Sequence, residues 1–422
     1  MSVIKGIKGV KDLFPEETPR WRLIEETARR WAARYGFHEI RIPIFEVTTL
    51  FARSIGASTD IVEKEMYTFQ DRDGTSLTLR PEGTAGTVRA YIEHNRAAIP
   101  VPQKYFYFGP MFRHERPQAG RLRQFHQFGV ESLGMADPQA DVEVIALLWR
   151  ILSDLDLRGL TLEINNLGYT VDRDTYRPRL VEYLKQHESG LCANCRHRIE
   201  VNPLRVLDCK VPECRALTET APRLSDSLSE AARSYFTRVL SGLDVIKIPY
   251  SLNHRLVRGL DYYNLTTFEV TATNLGAQNA VGAGGRYDGL VETLGGPSTP
   301  AVGFAVGLER MSMLLPESAI RKAPKKATVY VAGFGDRGTV AGLTALEELR
   351  LAGLQAVSDF RSSTLKAHLR QADRLRSRYT LIIGDDEVVK GSSVLRDMET
   401  KVQYDVSLST VSLQIHALLA GS

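Results

Sequence analysis

Three things are scarce in this sequence: cysteine, long apolar runs and an excess of either charge. Its 422 residues include four cysteines, all between Cys192 and Cys214, and so tight a cluster suggests local chemistry more than a chain-wide disulfide framework. No apolar run approaches the roughly 18 residues of a membrane-spanning helix, and residues 1–17 lack the apolar stretch of a secretory signal. We therefore expect a protein of the reducing cytoplasm with no membrane partner. A net charge of +4 permits a polyanionic partner without requiring one.

The composition that is present predicts a folded, water-soluble chain with more than one domain. Hydrophobic residues make up 43% and charged residues 25%, as in globular proteins, and the length exceeds one ordinary domain. Residues 172–245 are polar, arginine-rich and helical in pattern, which indicates an insertion. The basic, proline-containing segment 321–326 predicts a boundary. After it, strand and helix patterns alternate, which predicts a small α/β domain with a mostly parallel sheet.

The strongest chemical signal is a predicted β-hairpin with a polar face. The pattern predicts strands at 105–108, 111–115 and 125–131 and a loop at 116–123. Residues two apart share one face of a strand. The side chains that share this face are Met111, Arg113, Glu115, Phe125, Gln127 and Glu131, with Gly129 leaving room. Such a face is either solvated surface or a polar ligand site, and the strand pattern alone does not decide between them.

The loop of this hairpin carries three arginines and no acid: Arg116, Arg121 and Arg123. Guanidinium groups can bind phosphate oxygens through two hydrogen bonds. The loop is therefore a candidate phosphate-binding segment, and a solvated basic loop is the other interpretation.

A second candidate site lies where a strand is predicted to end and a helix to begin, at 80–84. Thr84 is the predicted N-cap of the helix. Ordinary capping would explain the segment. The alternative puts Glu82 at the mouth of a site, where its carboxylate could hold an ammonium group.

Two further segments combine glycine with polar or aromatic side chains. In 256–263, Arg258 and a glycine precede the paired Tyr262 and Tyr263. The glycines at 282–289 and 303–310 predict loops, and glycine-rich loops allow a ligand to approach the backbone closely. Neither glycine-rich segment matches a P-loop or a dinucleotide-binding fingerprint, so on their own they identify no ligand.

Taken together, these segments resemble the bacterial-type histidyl-tRNA synthetases, which are class II aminoacyl-tRNA synthetases. Residues 36–43 resemble motif 1, 112–131 motif 2 and 303–310 motif 3, and 256–263 and 283–289 resemble two segments peculiar to the histidine enzymes. The resemblance covers nearly the whole chain. It implies an α/β (α+β) fold whose catalytic platform is an antiparallel sheet flanked by helices, and a homodimer built around motif 1.

The resemblance also implies a reaction and a division of the chain. Histidine and ATP, with its Mg²⁺, would give histidyl-adenylate and pyrophosphate, and the histidyl group would pass to the 3′ end of tRNA(His). Residues 1–171 would be the first part of the catalytic core and 246–320 the second. The mostly helical insertion would occupy 172–245, and the anticodon-binding domain 326–422.

Matching residues to the family's motifs assigns roles to individual side chains. The catalytic residues would be Arg113 and Arg258, both acting on the α-phosphate. The histidine-binding residues would be Glu82, Thr84, Gln127, Glu131, Tyr262 and Tyr263. The ATP-binding residues would be Arg113, Glu115, Arg121, Phe125 and Arg310. The residues in contact with the tRNA acceptor end would be Arg116, Gln118 and Arg123.

Two other functions compete with this interpretation. The first is a regulatory relative that binds histidine but charges no tRNA; such proteins tend to lose catalytic arginines and the anticodon-binding domain. Here Arg113, Arg258 and Arg310 are present, as is the region after residue 326, which favours the enzyme. The second, a generic nucleotide-binding module, explains the glycines but not the polar hairpin face.

The four cysteines form two pairs, Cys192 with Cys195 and Cys209 with Cys214. Four thiolates in such pairs are a known arrangement for structural zinc. The second pair is separated by four residues instead of two, which weakens the match. From the sequence we favour free thiols in the small core of the insertion over a metal site.

Overall fold

The structure is a computed structural model that describes residues 3–56, 59–275, 279–321, 328–362 and 364–420. The chain divides into two compact units, Met1–Lys322 and Ala323–Ser422, each with its own hydrophobic core. Most of the predicted basic linker, residues 322–326, lies outside the described residues. The further division of the first unit into a core and an insertion stays a prediction.

The first unit contains both strands and helices. Its strands are β1 (His38–Glu39), β2 (Phe45–Val47), β3 (Tyr67–Gln70), β4 (Ser76–Leu79), β5 (Gln103–Phe112), β6 (Gln124–Leu133), β7 (Leu160–Asn166), β8 (Ser251–Leu252), β9 (Asn264–Ala272), β10 (Ala280–Arg286) and β11 (Ala301–Gly307). Its α-helices are α1 (Thr18–Arg34), α2 (Thr48–Ile55), α3 (Thr84–Glu93), α4 (Pro138–Asp154), α5 (Thr170–Gln186), α6 (Ala193–Val201), α7 (Pro212–Leu217), α8 (Glu230–Val245), α9 (Leu290–Thr293), α10 (Leu308–Leu314) and α11 (Glu317–Arg321).

Eight of these strands form one large sheet in the order β1-β5-β6-β11-β10-β9-β7-β8. The pairing is antiparallel except at the edges, where β1 runs parallel to β5 and β8 parallel to β7. This agrees with the predicted antiparallel platform. A smaller sheet has the order β2-β4-β3. Between α5 and α8 the described chain forms only helices and turns, as the pattern predicted for this region.

The alternation along β6 separates the core of the first unit from its polar face. Phe128 and Val130 are buried in one cluster with Ile24 of α1 and residues of α4. Each large apolar side chain buried in this way contributes roughly 1.5–3 kcal/mol. Gln127 and Glu131, which flank this pair, and Gly129, which lies between its members, face the opposite side of the sheet, because successive side chains on a strand alternate. The alternation predicted for the second hairpin strand is therefore confirmed.

The first hairpin strand joins the two predicted strands 105–108 and 111–115 into one, but it ends three residues earlier than predicted. It ends at Phe112, so strand alternation does not place Arg113 and Glu115. The Arg113 N–H still bonds the carbonyl of Arg123, but the Glu115 N–H bonds the carbonyl of Arg113 at 2.8 Å. That tight turn ends the extended backbone.

The glycine-rich segment from residue 282 is also different from the prediction, which made it a loop. Most of it is β10, paired with β9 on one side and β11 on the other. The glycines permit unusually close neighbours: a Cβ on Gly284 would lie 2.1 Å from the carbonyl oxygen of Gly303. The glycines therefore allow close packing between strands where the sequence predicted a loop, and residues 303–307 likewise belong to a strand, β11.

The second unit contains a five-stranded sheet covered by helices. Its strands are β12 (Thr328–Gly333), β13 (Gln355–Val357), β14 (Tyr379–Ile383), β15 (Ser392–Asp397) and β16 (Gln403–Ser407). Its helices are α12 (Asp336–Leu351), α13 (Leu365–Arg374), α14 (Asp385–Lys390) and α15 (Val411–Ala420). β12 pairs in parallel with β13 and β14, but β15 and β16 add antiparallel pairs. The predicted α/β domain is confirmed, and the mostly parallel sheet was right only for its first three strands.

Candidate active site

A cavity of about 250 Å³ opens on the polar face of the large sheet. The segments that line it come from β6, β10 and β11, the start of α3, the hairpin loop and the chain just before β9. It brings together every residue predicted to bind histidine or ATP: Glu82, Thr84, Arg113, Glu115, Arg121, Phe125, Gln127, Glu131, Arg258, Tyr262, Tyr263 and Arg310. Three other predicted residues, Arg116, Gln118 and Arg123, do not line it.

Glu131 is a buried carboxyl surrounded by hydroxyl groups. Thr84 donates to its Oε1 at 2.7 Å and Tyr107 to the same oxygen at 3.2 Å, while Tyr287 donates to Oε2. Burial raises the pKa of Glu131 to about 8, against the opposing effect of these hydrogen bonds. The side chain is therefore mostly protonated at neutral pH in the free protein.

Two glycines make room for this group. A Cβ on Gly303 of β11 would lie 2.1 Å from Oε2 of Glu131. A Cβ on Gly129 of β6 would lie 2.3 Å from the hydroxyl oxygen of Tyr107. Both distances are far inside van der Waals contact, so glycine at these two positions is needed for the Tyr107–Glu131 pair to exist in this form.

Glu82 performs the capping that the sequence assigned to Thr84. The helix α3 begins at Thr84 itself, and the Glu82 carboxylate accepts hydrogen bonds from the N–H groups of Thr84 and Ala85 at 2.6 and 2.9 Å. A carboxylate at a helix N-terminus is a favourable partner for these unpaired donors. Burial nevertheless raises the pKa of Glu82. The predicted cap was wrong, but Thr84 still reaches the cavity through its bond to Glu131.

Two guanidinium groups line the cavity, one from Arg113 just after β5 and one from Arg258 in the chain before β9. Arg113 donates to the carbonyl of Pro81 at 2.9 Å and lies 5.3 Å from the centre of the Phe125 ring. Arg258 donates to Glu269 of β9 at 2.5 Å. Burial lowers the pKa of Arg113, and the charge of Arg258 adds to that effect. For Arg258 burial is outweighed by Glu269, which raises its pKa. Both groups stay cationic.

The other end of the cavity contains Arg121 and Arg310. Arg121 forms an ion pair with Glu115. The absence of acidic residues within the loop had suggested an unpaired arginine, but the carboxylate comes from the residue just before the loop. Arg310 of α10 donates to the carbonyls of Gly120 and Ala280 at 3.1 and 2.5 Å. Within the loop, residues 118 and 121 pair through two backbone hydrogen bonds of 3.0 Å.

Polar atoms without partners point to a ligand that completes the site. Among the described residues, Oε1 of Gln127 and Nε of Arg258 are buried and make no hydrogen bond. Buried polar atoms are nearly always paired in folded proteins. An orphaned acceptor and an orphaned donor in one cavity therefore fit a ligand that carries both donors and anionic oxygens.

The three remaining predicted residues lie on the hairpin loop. Arg116 and Gln118 are exposed. The Arg123 side chain donates to the carbonyl of Glu115 at 3.3 Å, and its backbone N–H bonds the carbonyl of Gly9 at 2.7 Å. Arg123 therefore also holds the loop in place, whereas the two exposed side chains are available to a partner.

Sequence reasoning gave no role to three residues that shape the cavity. Tyr107 lies on the face of β5 that also carries Met111, so extending the same alternation by four residues would have found it. Glu269 interrupts an apolar strand, which is a usable signal for a charged partner such as Arg258. Tyr287 lies in the segment 283–289, but nothing in its sequence context indicates that its hydroxyl donates to Glu131.

The order of groups along β6 matches a long ligand with chemically distinct parts. Glu131, Gln127 and Phe125 follow one another on the same face and span about 20 Å at 3.3 Å per residue. A buried acid with hydroxyl donors suits a polar side chain, the two guanidiniums suit a phosphate, and the ring of Phe125 suits a flat base. The arrangement fits an amino acid joined to a nucleotide.

Comparison with known proteins agrees with this geometry. The family Histidyl-tRNA synthetase matches residues 9–311, and the family Anticodon binding domain matches residues 329–417. The histidine–tRNA ligase of Trichlorobacter lovleyi is 49% identical over 97% of each chain. That of Desulforamulus reducens is 46% identical over 97% of this chain and 98% of its own. The apo histidyl-tRNA synthetase of S. aureus has a TM-score of 0.83 at 36% identity, covering 98% of this chain and 99% of its own.

A large antiparallel sheet with this cavity, followed by an anticodon-binding domain, defines an aminoacyl-tRNA ligase. The chain belongs to the histidyl-tRNA synthetase family. Its reaction is the ATP-dependent attachment of histidine to tRNA(His), through histidyl-adenylate. The regulatory alternative is not favoured, because relatives at 45–49% identity over nearly the full length are named as ligases. No described helix has the length and apolar character needed to cross a membrane.

Proposed function

We propose that the cavity on β6 and β11 is where this ligase forms histidyl-adenylate. Glu131 and Tyr263 bind the imidazole beside Tyr262, and Glu82, Thr84 and Gln127 hold the ammonium and carboxylate of histidine. The phosphate and base ends take the remaining side chains: Arg113 and Arg258 at the α-phosphate, Phe125 and Arg310 around adenine, Glu115 at the adenine amino group and Arg121 at the γ-phosphate. Mg²⁺ enters with ATP as part of that substrate.

The observation that carries this proposal is the pair of orphaned polar atoms, Gln127 Oε1 and Arg258 Nε, at the two ends of the proposed histidyl-phosphate junction. An ammonium group would satisfy the first and a phosphate oxygen the second. The Glu115 carboxylate that now pairs with Arg121 would compete with a phosphate for the same guanidinium.

Selectivity follows from the same polar groups. A buried site that pairs both imidazole nitrogens leaves Glu131 or Tyr263 unsatisfied with any other side chain, which can give discrimination of about 10⁴ without editing. ATP–pyrophosphate exchange measured with each of the twenty amino acids tests this. We expect exchange with histidine alone; comparable exchange with a second amino acid would contradict the assignment.

We predict that Glu131 keeps a proton in the complex with histidine. Its pKa is already about 8 in the free protein, and a neutral imidazole would exclude more water, which disfavours an unpaired buried charge. Binding above pH 8 then requires proton uptake, so the affinity of the wild type should fall by up to about 10-fold per pH unit there. Below pH 7 the carboxyl is already protonated and contributes no pH dependence.

Titration calorimetry of histidine binding from pH 6 to 9, for the wild type and for Glu131→Gln, measures this effect. Because the histidine amino group titrates equally in both proteins, the ratio of the two Kd values isolates Glu131. The ratio of the wild-type Kd to the Glu131→Gln Kd should be constant below pH 7 and should rise above pH 8, because the wild type then binds more weakly. Stronger wild-type binding above pH 8 would show that the carboxylate binds the imidazole without a proton.

We also propose that Arg116, Gln118 and Arg123 meet the acceptor end of the tRNA. Their loop joins two strands that carry the cavity, and Arg116 and Gln118 are exposed. We predict that Arg116→Ala and Arg123→Ala lower kcat/KM for aminoacylation and weaken its dependence on salt, since each removed phosphate contact releases about one counterion fewer. Histidine-dependent pyrophosphate exchange should stay within about twofold in Arg116→Ala, because that side chain does not reach the cavity.

The comparison of two assays on one preparation decides this prediction. Arg158→Ala is a suitable control, because Arg158 is an exposed arginine whose partner is Asp156, a surface pair of little energetic weight. If Arg116→Ala lost exchange and aminoacylation equally, the loop would act on the cavity and not on the tRNA.

We further propose that the enzyme is a homodimer that acts in the cytoplasm, where tRNA is charged. An exposed apolar patch follows the motif 1 segment: Ile44, Phe45, Val47 and Phe69 are each more than two-fifths exposed. Patches of this kind mark protein interfaces more often than free surface. Sedimentation velocity of the full chain distinguishes a dimer from a monomer.

A further inference from the structure

The four cysteines of the chain converge in the fold. The sulfur atoms of Cys192, Cys195, Cys209 and Cys214 all lie within 4.8 Å of one another, and three of these side chains are buried. Cys192 immediately precedes α6, and Cys195 lies in its first turn. Cys214 belongs to α7. The sequence favoured free thiols, but it could not show this convergence.

The fold removes the objection that the wide spacing of Cys209 and Cys214 raised against a metal site. Four residues separate Cys209 from Cys214, and α7 starts at Pro212, so the chain turns back and returns Cys214 towards Cys192. The backbone N–H of Cys192 donates to the sulfur of Cys214 at 3.1 Å. A tetrahedral zinc with bonds of about 2.3 Å sets its sulfurs about 3.8 Å apart. The observed group needs only a small contraction to reach that geometry.

Ordinary packing of free thiols explains the arrangement less well. Cysteines that serve as small apolar residues need no common point of convergence, yet all four sulfurs share one. The elements around them are short, nine residues in α6 and six in α7. Helices of that length are not stable by themselves, and small cores of this kind are commonly completed by a metal or by disulfides.

We propose that Cys192, Cys195, Cys209 and Cys214 bind one structural zinc ion. Four thiolates form a closed tetrahedral site with no open position for a substrate, which is the pattern of structural zinc and not of catalytic zinc. The ion would join α6 and α7 inside a buried apolar cluster that already includes Leu191, Ile199 and Val206. Binding releases the thiol protons and involves no change of oxidation state.

Hydrogen bonds connect the cysteine cluster to the segment that carries Arg258. Arg255 donates to the carbonyls of Arg215 and Leu207 at 2.9 and 3.1 Å and to Thr218 Oγ1 at 2.7 Å. These acceptors flank Cys209 and Cys214, and Arg255 precedes Arg258 by three residues. A zinc ion would thus fix the surface on which the chain leading to Arg258 rests.

Elemental analysis of the full-length, untagged protein, purified without chelators, tests the proposal directly. We expect about one zinc per chain in the wild type, and less than about a tenth of that in Cys195→Ser and in Cys209→Ser. The matched control is His197→Ala: His197 is exposed on the same helix, α6, and lies outside the four-sulfur group, so its replacement should leave the metal content unchanged.

Two measurements on the wild type keep the test decisive if the serine variants fail to fold. Mercurial titration should release one zinc as four thiols react, without background, because the chain has no other cysteine. Metal removal should speed amide hydrogen exchange in residues 187–222 and leave β14 of the second unit unchanged. A metal-free protein from zinc-supplemented cells, whether it shows four freely reactive thiols or two disulfides, would overturn the proposal.

Discussion

Replacing Arg258 with alanine is expected to slow the formation of histidyl-adenylate by about 10²- to 10³-fold, the usual loss when one preorganised charge is removed from a developing anion. The Kd for histidine should change by less than about threefold, because the group acts mainly as charge develops at phosphorus. Single-turnover rapid quench with ATP and histidine measures the rate, and calorimetry measures the Kd.

The physical reason lies in how the structure holds this guanidinium. Glu269 orients Arg258 at 2.5 Å and keeps it cationic, and its Nε has no partner among the described residues. Together with Arg113 it would place fixed positive charge on two sides of the α-phosphate, where no reorganisation is needed during the reaction.

Arg258→Lys serves as the matched control, since it retains a positive charge without the planar fork. We expect it to recover part of the rate. Near-normal adenylation in Arg258→Ala would contradict the role, and equal losses in rate and histidine affinity would make Arg258 a binding residue instead.

Ending the chain at Arg321 is expected to separate the two half-reactions. The residues assigned to adenylate formation all lie in the first unit, which has its own core, so pyrophosphate exchange should stay within about threefold of the full chain. Charging of tRNA(His) should fall by about 10³-fold or more, because the anticodon-binding domain supplies binding energy that orients the tRNA.

Both assays on one preparation of the truncated protein provide the internal control, with the full chain measured in parallel. Undiminished charging would show that the second unit is not needed for tRNA recognition. Loss of exchange in a protein that remains folded by circular dichroism would show that the second unit supports the active site.

The sequence predicted the hairpin and its polar face because a single local rule, strand alternation, applies along β6. The same rule does not apply beyond the end of β5 at Phe112, because a backbone hydrogen bond from Glu115 to Arg113 forms a turn there that no side chain indicates in the sequence. The resemblance supplied residue roles beyond any periodicity, and all the histidine and ATP candidates line one cavity.

What the sequence could not supply depends on contacts between distant segments. The glycines of β10 suggested a loop, since nothing local indicates that two strands will press against them. The hydroxyl of Tyr287 reaches Glu131 across 156 positions of the chain, and the convergence of Cys192 with Cys214 depends on where a short helix starts. Such features need the three-dimensional arrangement.

The hydrogen atoms that serve as side chains at Gly303 and Gly129 have a consequence for how this enzyme can change. In the proposed histidine site, recognition would depend on the volume kept empty at these two glycines. A single added methyl group would therefore abolish it while every charged and hydroxyl-bearing residue stayed in place. A substitution of either glycine by alanine, which changes no charge or hydrogen-bonding group, would therefore be among the most damaging. The size limit at these two positions defines the pocket as much as its polar side chains do.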